Sequence, residues 1–216
     1  MENALIILFG LTMLYMAATS RLMAHIRILA VQGILLFLIC YFGTEKTDLF
    51  NFLFLAFETL IVKALVIPLF LNHIIKKTHE YRDMEANIPH FYCLFISSII
   101  LFGGFLISDI NFPAMKMINP VYFGVSIAVI IISLLLITIK HKILTNVVEF
   151  ITMENGIFLL SLSVAKEMPV IVNLGVLLDI FIAVFILGLL VRQINKEFDG
   201  IEVSHLSDLK DCEYDD

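Results

Sequence analysis

The sequence predicts an all-α, polytopic membrane protein with about seven transmembrane helices. Of its 216 residues, 60% are hydrophobic and only 16% are charged, so lipid rather than water must surround most of the chain. Several apolar runs reach the roughly 20 residues that about 30 Å of hydrocarbon requires, and short charged links separate them. The predicted spans are residues 3–20, 26–43, 50–74, 90–108, 120–139, 144–164 and 170–191.

The links between the spans alternate in charge. The first, third and fifth links are basic, whereas the others are poor in Lys and Arg or balanced in charge. The positive-inside rule therefore places the N-terminus outside and the C-terminus in the cytoplasm. The first span lacks the basic region and small-residue cleavage site of a secretory signal, so we expect it to be retained as a helix.

The chain divides into a transmembrane helical domain, residues 1–196, and an acidic cytoplasmic tail, residues 197–216. Eight acidic residues of this tail account for the net charge of −6. Because the acidity is local and no basic surface accompanies it, the sequence offers no site for nucleic acid.

Two stretches of the chain share a pattern of polar and apolar residues. Gln32–Gly33 match Asn155–Gly156, and Glu58 approaches the position of Asp179. One interpretation is that spans 1 to 3 and 5 to 7 are two parallel three-helix units, joined by span 4. The other is chance similarity between apolar sequences, and the sequence alone leaves both open. In either case we expect the four polar and glycine residues to lie at helix-packing contacts.

Five ionisable side chains lie well inside predicted spans. Each costs at least about 2.5 kcal/mol if it is charged at the bilayer centre, so each should face other helices or water and have a partner. One hypothesis makes them a proton or ion relay between helices, and the other makes them fixed pairs that hold helices together. The five residues are Glu58, Lys63, Glu149, Glu154 and Asp179.

The spacing of these residues along each helix predicts the directions in which their side chains point. Glu58 and Lys63 are five residues apart, as are Glu149 and Glu154. At about 100° per residue, the members of each pair point some 140° apart around their helix, toward different neighbours. A relay that crosses between helices needs such an arrangement.

The cysteines and histidines predict no cofactor and no metal site. The three cysteines form no CxxC motif, which iron–sulfur ligation and covalent haem attachment require. We interpret them as small apolar fillers or, at Cys212, as a tail thiol. The six histidines fall in links, near span ends or in the tail, whereas a membrane-buried haem needs imidazoles within the bilayer.

The later part of the chain resembles a known subunit. The block "KHKILTNVVEFITMENGIFLLSLSV", with the segment "VNLGVLLDIFIAVFILGLLVRQI" after it, resembles the K subunit of respiratory complex I and its counterparts in multisubunit sodium/proton antiporters. This resemblance covers residues 120–191. Nearly the whole chain, including "MENG" and "TLIVKALVIPLFL", resembles the hydrogenase-4 component E family. Those proteins are membrane subunits of group 4 nickel–iron hydrogenases, including formate hydrogenlyase-type complexes.

The resemblance suggests roles for specific residues. Asp179 stands where the complex I family has its third-span glutamate. The second-span glutamate of that family falls at Ile151, so Glu154 or Glu149 must replace it. This departure leaves open whether a proton route follows the geometry of the complex I family.

The resemblance also implies a function and partners. It implies a non-catalytic subunit, without cofactors, in a prokaryotic inner membrane, which contributes to proton or sodium translocation coupled to electron transfer. Its partners would be antiporter-like and hydrogenase-anchoring membrane subunits and a soluble nickel–iron hydrogenase arm. Two alternatives stay open, a purely structural membrane scaffold and a stand-alone ion carrier.

Overall fold

A computed structural model describes residues 2–43, 56–78, 89–109, 120–140 and 143–164, all within one compact unit, Met1–Val176. Every regular element in these ranges is a helix, which confirms the all-α prediction. The elements are α1 (Glu2–Ala18), α2 (Leu22–Gly43), α3 (π-helical Glu58–Val66 and α-helical Ile67–Thr78), α4 (His90–Asp109), α5 (Pro120–Ile139) and α6 (Ile143–Val164). The predicted seventh span with Asp179, and the acidic tail, lie outside the described residues.

Among the described residues, three helices are long and apolar enough to cross a membrane. They are Leu22–Phe42, His90–Ile107 and Pro120–Ile139, and shorter apolar helices cover Glu2–Ala18 and Thr59–His73. Helix α6 has 22 residues, which at about 1.5 Å per residue could also span the hydrocarbon, but its Glu, Asn and Thr side chains make it more polar. The total of seven spans stays a prediction.

Helix α4 exposes a stripe of large apolar side chains. Phe91, Phe95 and Phe102 are 72%, 59% and 64% exposed, at spacings that place them along one side of the helix. The buried residues Cys93 and Leu101 lie on other sides of it, where α4 packs against α1 and α5. A contiguous apolar face of this kind is what lipid contact requires.

Helices α1, α2 and α6 lie at the centre of the described helix packing. Helix α1 contacts α2, α4 and α5, while α6 contacts α5 and α2. Fully buried side chains of α1, among them Phe9, Met13 and Met16, fill the space between these helices. Polar side chains of α2 and α6 that face this core are thereby shielded from solvent.

Helix α3 begins with an unusual π-helical segment, Glu58–Val66. At its end, the N–H of Ile67 donates to the carbonyl of Val62, five residues earlier. Such segments are rare, and they are frequent at functional sites. Pro68 follows at once, and the wider turn before it accommodates a ring that would otherwise clash with the carbonyl four residues back. Lys63, one of the five predicted site residues, lies in this segment.

Candidate functional site

A buried cluster of three ionisable side chains joins α2, the end of α5 and α6. Lys140 Nζ donates to Glu149 Oε1 at 2.8 Å and lies 2.7 Å from His25 Nε2. His25 Nε2 and Glu149 Oε1 are 3.3 Å apart. The His25 and Glu149 side chains are fully buried, and that of Lys140 is 4% exposed. We call these three residues the charged cluster.

Each member of the charged cluster lies in a helix or directly after one. His25 lies in the first turn of α2, and its Nδ1 bonds the Arg21 carbonyl at 3.1 Å. Lys140 directly follows α5, and its N–H donates to the Leu136 carbonyl. Glu149 lies in the second turn of α6. Three helix ends therefore deliver these side chains to one level of the bundle.

The charged cluster is electrically balanced but incompletely hydrogen-bonded. The Lys140 ammonium neutralises the Glu149 carboxylate, which a buried charge requires. Within the described part of the chain, no donor reaches Glu149 Oε2, which is fully buried. One carboxylate oxygen thus has two close neighbours and the other has no donor.

A second set of polar contacts links the same two helices deeper in the bundle. Asn155 Nδ2 of α6 donates to Gln32 Oε1 of α2 at 3.3 Å. Gln32 Nε2 in turn donates to Thr12 Oγ1 at 2.9 Å and to Met13 Sδ at 3.3 Å, both on α1. We call the Gln32–Asn155 contact the amide pair. Gln32 and Asn155, two of the residues predicted for helix packing, thus have their side chains between α2 and α6.

The two sets of contacts define the relative direction of α2 and α6. His25 meets Glu149, and Gln32 meets Asn155, so residue numbers rise together along both helices and the helices run parallel. The charged cluster and the amide pair are about two turns apart, or roughly 10 Å at 1.5 Å per residue. A polar seam therefore follows the contact between α2 and α6.

The amide pair supports a measurable prediction about helix association. We expect Gln32→Leu and Asn155→Leu each to lower the free energy of unfolding, because each leaves the other amide buried without its partner. The coupling energy in a double-mutant cycle should be about 0.6 kcal/mol, and at most about 2 kcal/mol, as for other interhelical hydrogen bonds in membranes. Denaturant titration in detergent micelles measures it. Strict additivity of the two changes would show that the amides do not interact.

The two predicted glycines allow close helix contacts. A Cβ at Gly33 would lie 2.7 Å from the backbone nitrogen of Ala64 in α3, and one at Gly156 would lie 2.9 Å from Val129 Cγ1 in α5. Gly33 thus packs on the third helix, whereas Gly156 packs on the fifth. The proposed repeat pairs α3 with the seventh span, which lies outside the described residues, so the repeat stays a prediction.

Of the other predicted site residues, the structure describes the side chains of two. Glu154 and Lys63 are both buried, at 3% exposure. Lys63 Nζ lies 4.7 Å from the ring centroid of Phe158, one helical turn along α6 from Glu154, so Lys63 reaches α6 from α3. The side chains of Glu58 and Asp179 lie outside the described residues.

The chain has curated relatives over most of its length. It is 26% identical over 189 residues to hydrogenase-4 component E of Escherichia coli strain K12, covering 84% of this chain and 82% of that protein. Hydrogenase-4 component E of Shigella flexneri matches with the same figures. This similarity supports the resemblance of the chain to the hydrogenase-4 component E family. An uncharacterized protein of Mycobacterium tuberculosis is 25% identical over 193 residues, 88% of this chain and 87% of its own length.

No protein-family model matches the chain, and no solved structure matches it. The predicted resemblance to the hydrogenase-4 component E family is thus confirmed by relatives that align along both chains. The resemblance of residues 120–191 to the complex I K subunit stays a prediction. In this part of the chain Ile151 is buried, and of the two acids that could replace the glutamate of that family, Glu149 is the one in an ion pair with Lys140.

Two members of the charged cluster were not among the predicted site residues. The second span was predicted to begin at residue 26, which left His25 in a basic link; that boundary was wrong, because α2 begins at Leu22. Lys140 was likewise assigned to a link. A basic residue at the end of one span, nine residues before an acid in the next, was the signal that could have indicated the Lys140–Glu149 pair.

The described residues contain no group of three or more His, Cys, Asp or Glu side chains placed to hold a metal ion. Cys40 and Cys93 are buried, as expected for small side chains that fill the interior. The charged cluster and the amide pair themselves offer proton binding, ion pairing and hydrogen bonding.

Proposed function

We propose that this chain is a non-catalytic integral membrane subunit of a hydrogenase-4-like complex, and that it contributes to proton or sodium translocation coupled to electron transfer. The homology to hydrogenase-4 component E supports membership in such a complex, and the three long apolar helices support a membrane location. Its partners would be antiporter-like and hydrogenase-anchoring membrane subunits and a soluble nickel–iron arm. The membrane would be a prokaryotic inner membrane, crossed several times, with the N-terminus outside.

The observation that carries the translocation part of the proposal is the buried Lys140–Glu149 pair. Removing two charges from water is expensive, and apolar residues of similar volume often stabilise a protein as well or better. The amide pair shows that this chain can also join α2 and α6 with neutral side chains. Charges at the same contact therefore favour a role that needs a proton or an ion over a purely structural one.

Buried acids along α6 extend the polar seam. Glu149 lies at one end of the seam, and Glu154 is five residues deeper in the same helix. With Asp179 in the predicted seventh span, they would form a row of acids between helices. Each could exchange a proton with a neighbour or with water, and Lys63 would be a further positive partner.

The test uses the assembled complex in sealed membrane vesicles. Glu154→Gln keeps the size and hydrogen-bonding capacity of the side chain but removes its charge, so we expect normal assembly and normal electron transfer. Ion translocation per electron pair should fall to a minor fraction of its normal value, and Asp179→Asn should behave similarly. Asp216→Asn, which removes a carboxylate outside all predicted spans, should leave translocation unchanged.

A structural scaffold gives the opposite result. In that case translocation persists wherever the complex still assembles, and any loss follows reduced amounts of complex. Full translocation by an assembled complex that carries both Glu154→Gln and Asp179→Asn would eliminate the relay. If the purified chain alone transports ions in liposomes, it acts as a carrier outside any complex.

A further inference from the structure

The hydrogen bonds of His25 define its protonation state in this structure. Nδ1 faces the Arg21 carbonyl at 3.1 Å, and a carbonyl only accepts, so Nδ1 must bear a hydrogen. Nε2 faces the Lys140 ammonium at 2.7 Å, and an ammonium only donates, so Nε2 must present its lone pair. The ring is therefore neutral, with its hydrogen on Nδ1.

An added proton on His25 is incompatible with the present position of Lys140. Protonation would place a hydrogen on Nε2, and two donors, Nε2–H and the ammonium, would then face each other across 2.7 Å. The same hydrogen would already have an acceptor, because Glu149 Oε1 lies 3.3 Å from Nε2. Protonation of His25 thus requires Lys140 to leave Nε2 but does not require His25 to move.

Glu149 provides the position to which Lys140 can move. Its Oε2 is fully buried and has no donor among the described residues, and it belongs to the carboxylate that Lys140 already contacts through Oε1. A shift of Lys140 from Nε2 to Oε2 would satisfy this oxygen and preserve the ion pair. Both carboxylate oxygens would then have a donor.

We propose that His25 is a proton-binding residue and that its protonation moves Lys140 from His25 Nε2 to Glu149 Oε2. The proton comes from water, and Lys140 keeps its own, so the charged cluster gains one positive charge. Since a net charge is costly in a buried site, His25 releases the proton again readily, as a relay requires. The role of this switch in translocation rests on the proposed function; the switch itself does not.

The surroundings of His25 limit what else can respond to the proton. The Met16 and Arg21 carbonyls face the ring from the end of α1 and the following link, and His90 of α4 lies within electrostatic reach. Cys93 of α4 lies near Lys140 and Glu149. Lys140 and Glu149 are the charged groups in direct contact with His25. The switch therefore joins α2 to the end of α5 and to α6.

Nuclear magnetic resonance on the full chain in lipid nanodiscs tests the switch without any hydrogenase measurement. Nitrogen-15 signals of His25 and of Lys140 Nζ, assigned by their absence in His25→Asn and Lys140→Gln, are followed as the pH is lowered. At high pH, His25 should show the neutral ring with its hydrogen on Nδ1. As it takes up a proton, the Lys140 signal should change with the same midpoint.

Two variants separate the switch from simple titration of a buried histidine. In Lys140→Gln, His25 should bind its proton at a pH at least about one unit higher, because the neighbouring positive charge is gone. In His25→Asn, which can retain the donor toward the Arg21 carbonyl, the Lys140 signal should no longer change. A His25 that stays neutral over the whole range in which the chain is folded would overturn the proposal, as would unlinked His25 and Lys140 midpoints. Linked midpoints together with normal translocation in His25→Asn would leave the switch standing but would show that translocation does not use it, whereas the proposed function itself is tested by Glu154→Gln and Asp179→Asn.

Discussion

Replacing Lys140 with Met should lower the free energy of unfolding of this chain by about 3–5 kcal/mol, the range found when one partner of a buried ion pair is removed. The change leaves the fully buried Glu149 carboxylate without its counter-charge and His25 Nε2 without its donor. Methionine fills a volume similar to that of lysine, so lost packing contributes little. Unfolding by denaturant in detergent micelles, followed by circular dichroism, measures the loss.

A compensating change distinguishes a stranded charge from general damage. In the double variant Lys140→Met with Glu149→Gln, the amide is neutral and can donate to His25 Nε2, since Oε1 and Nε2 are only 3.3 Å apart. We expect this variant to recover at least half of the loss. Lys140→Arg, which keeps the charge, should cost less than Lys140→Met. A double variant as unstable as Lys140→Met would show that the ion pair does not explain the cost.

The helices could be predicted from the sequence because hydrocarbon imposes a simple rule. A helix satisfies its own backbone polar groups, and lipid favours apolar side chains, so apolar runs bounded by charge correspond to helices. The predicted spans 90–108 and 120–139 match α4 and α5 within one residue. The start of α2 was missed because basic and histidine side chains near the end of a helix resemble the residues of a charged link. In this structure, however, His25 is buried.

The candidate site could be predicted only in part. Glu149 was identified because burial of a charged carboxylate in hydrocarbon costs free energy, so an acidic residue inside an apolar run predicts a specific role. Its partner Lys140, nine residues earlier, was assigned to a link, although that spacing was a usable signal. His25 had no such signal, since it lies 115 residues from Lys140 and only the packing of α2 beside α6 brings it to the pair. The π-helical start of α3 has no sequence signal except Pro68, and a proline inside a helix predicts a kink but not its form.

Replacing Gly104 with Ala should destabilise the chain by about 1–3 kcal/mol, the usual cost of overpacking. A Cβ at this position would lie 2.5 Å from the Gly124 carbonyl oxygen and 2.9 Å from Ala128 Cβ, both on α5. Backbone atoms cannot rotate away as a flexible side chain can, so α4 and α5 would have to separate. Small residues on facing helices permit this close approach, as is common in membrane proteins.

Gly103 provides a matched control one residue away on the same helix. No atom lies within 4 Å of a Cβ built at Gly103, so Gly103→Ala introduces no clash. Alanine is also the better helix former by about 1 kcal/mol, and the variant should be as stable as the unaltered chain or slightly more stable. Unfolding of both variants under identical conditions should therefore show a loss of stability for Gly104→Ala and no loss for Gly103→Ala. Equal changes at the two positions would mean that helix propensity alone governs both, and that α4 and α5 do not pack through Gly104.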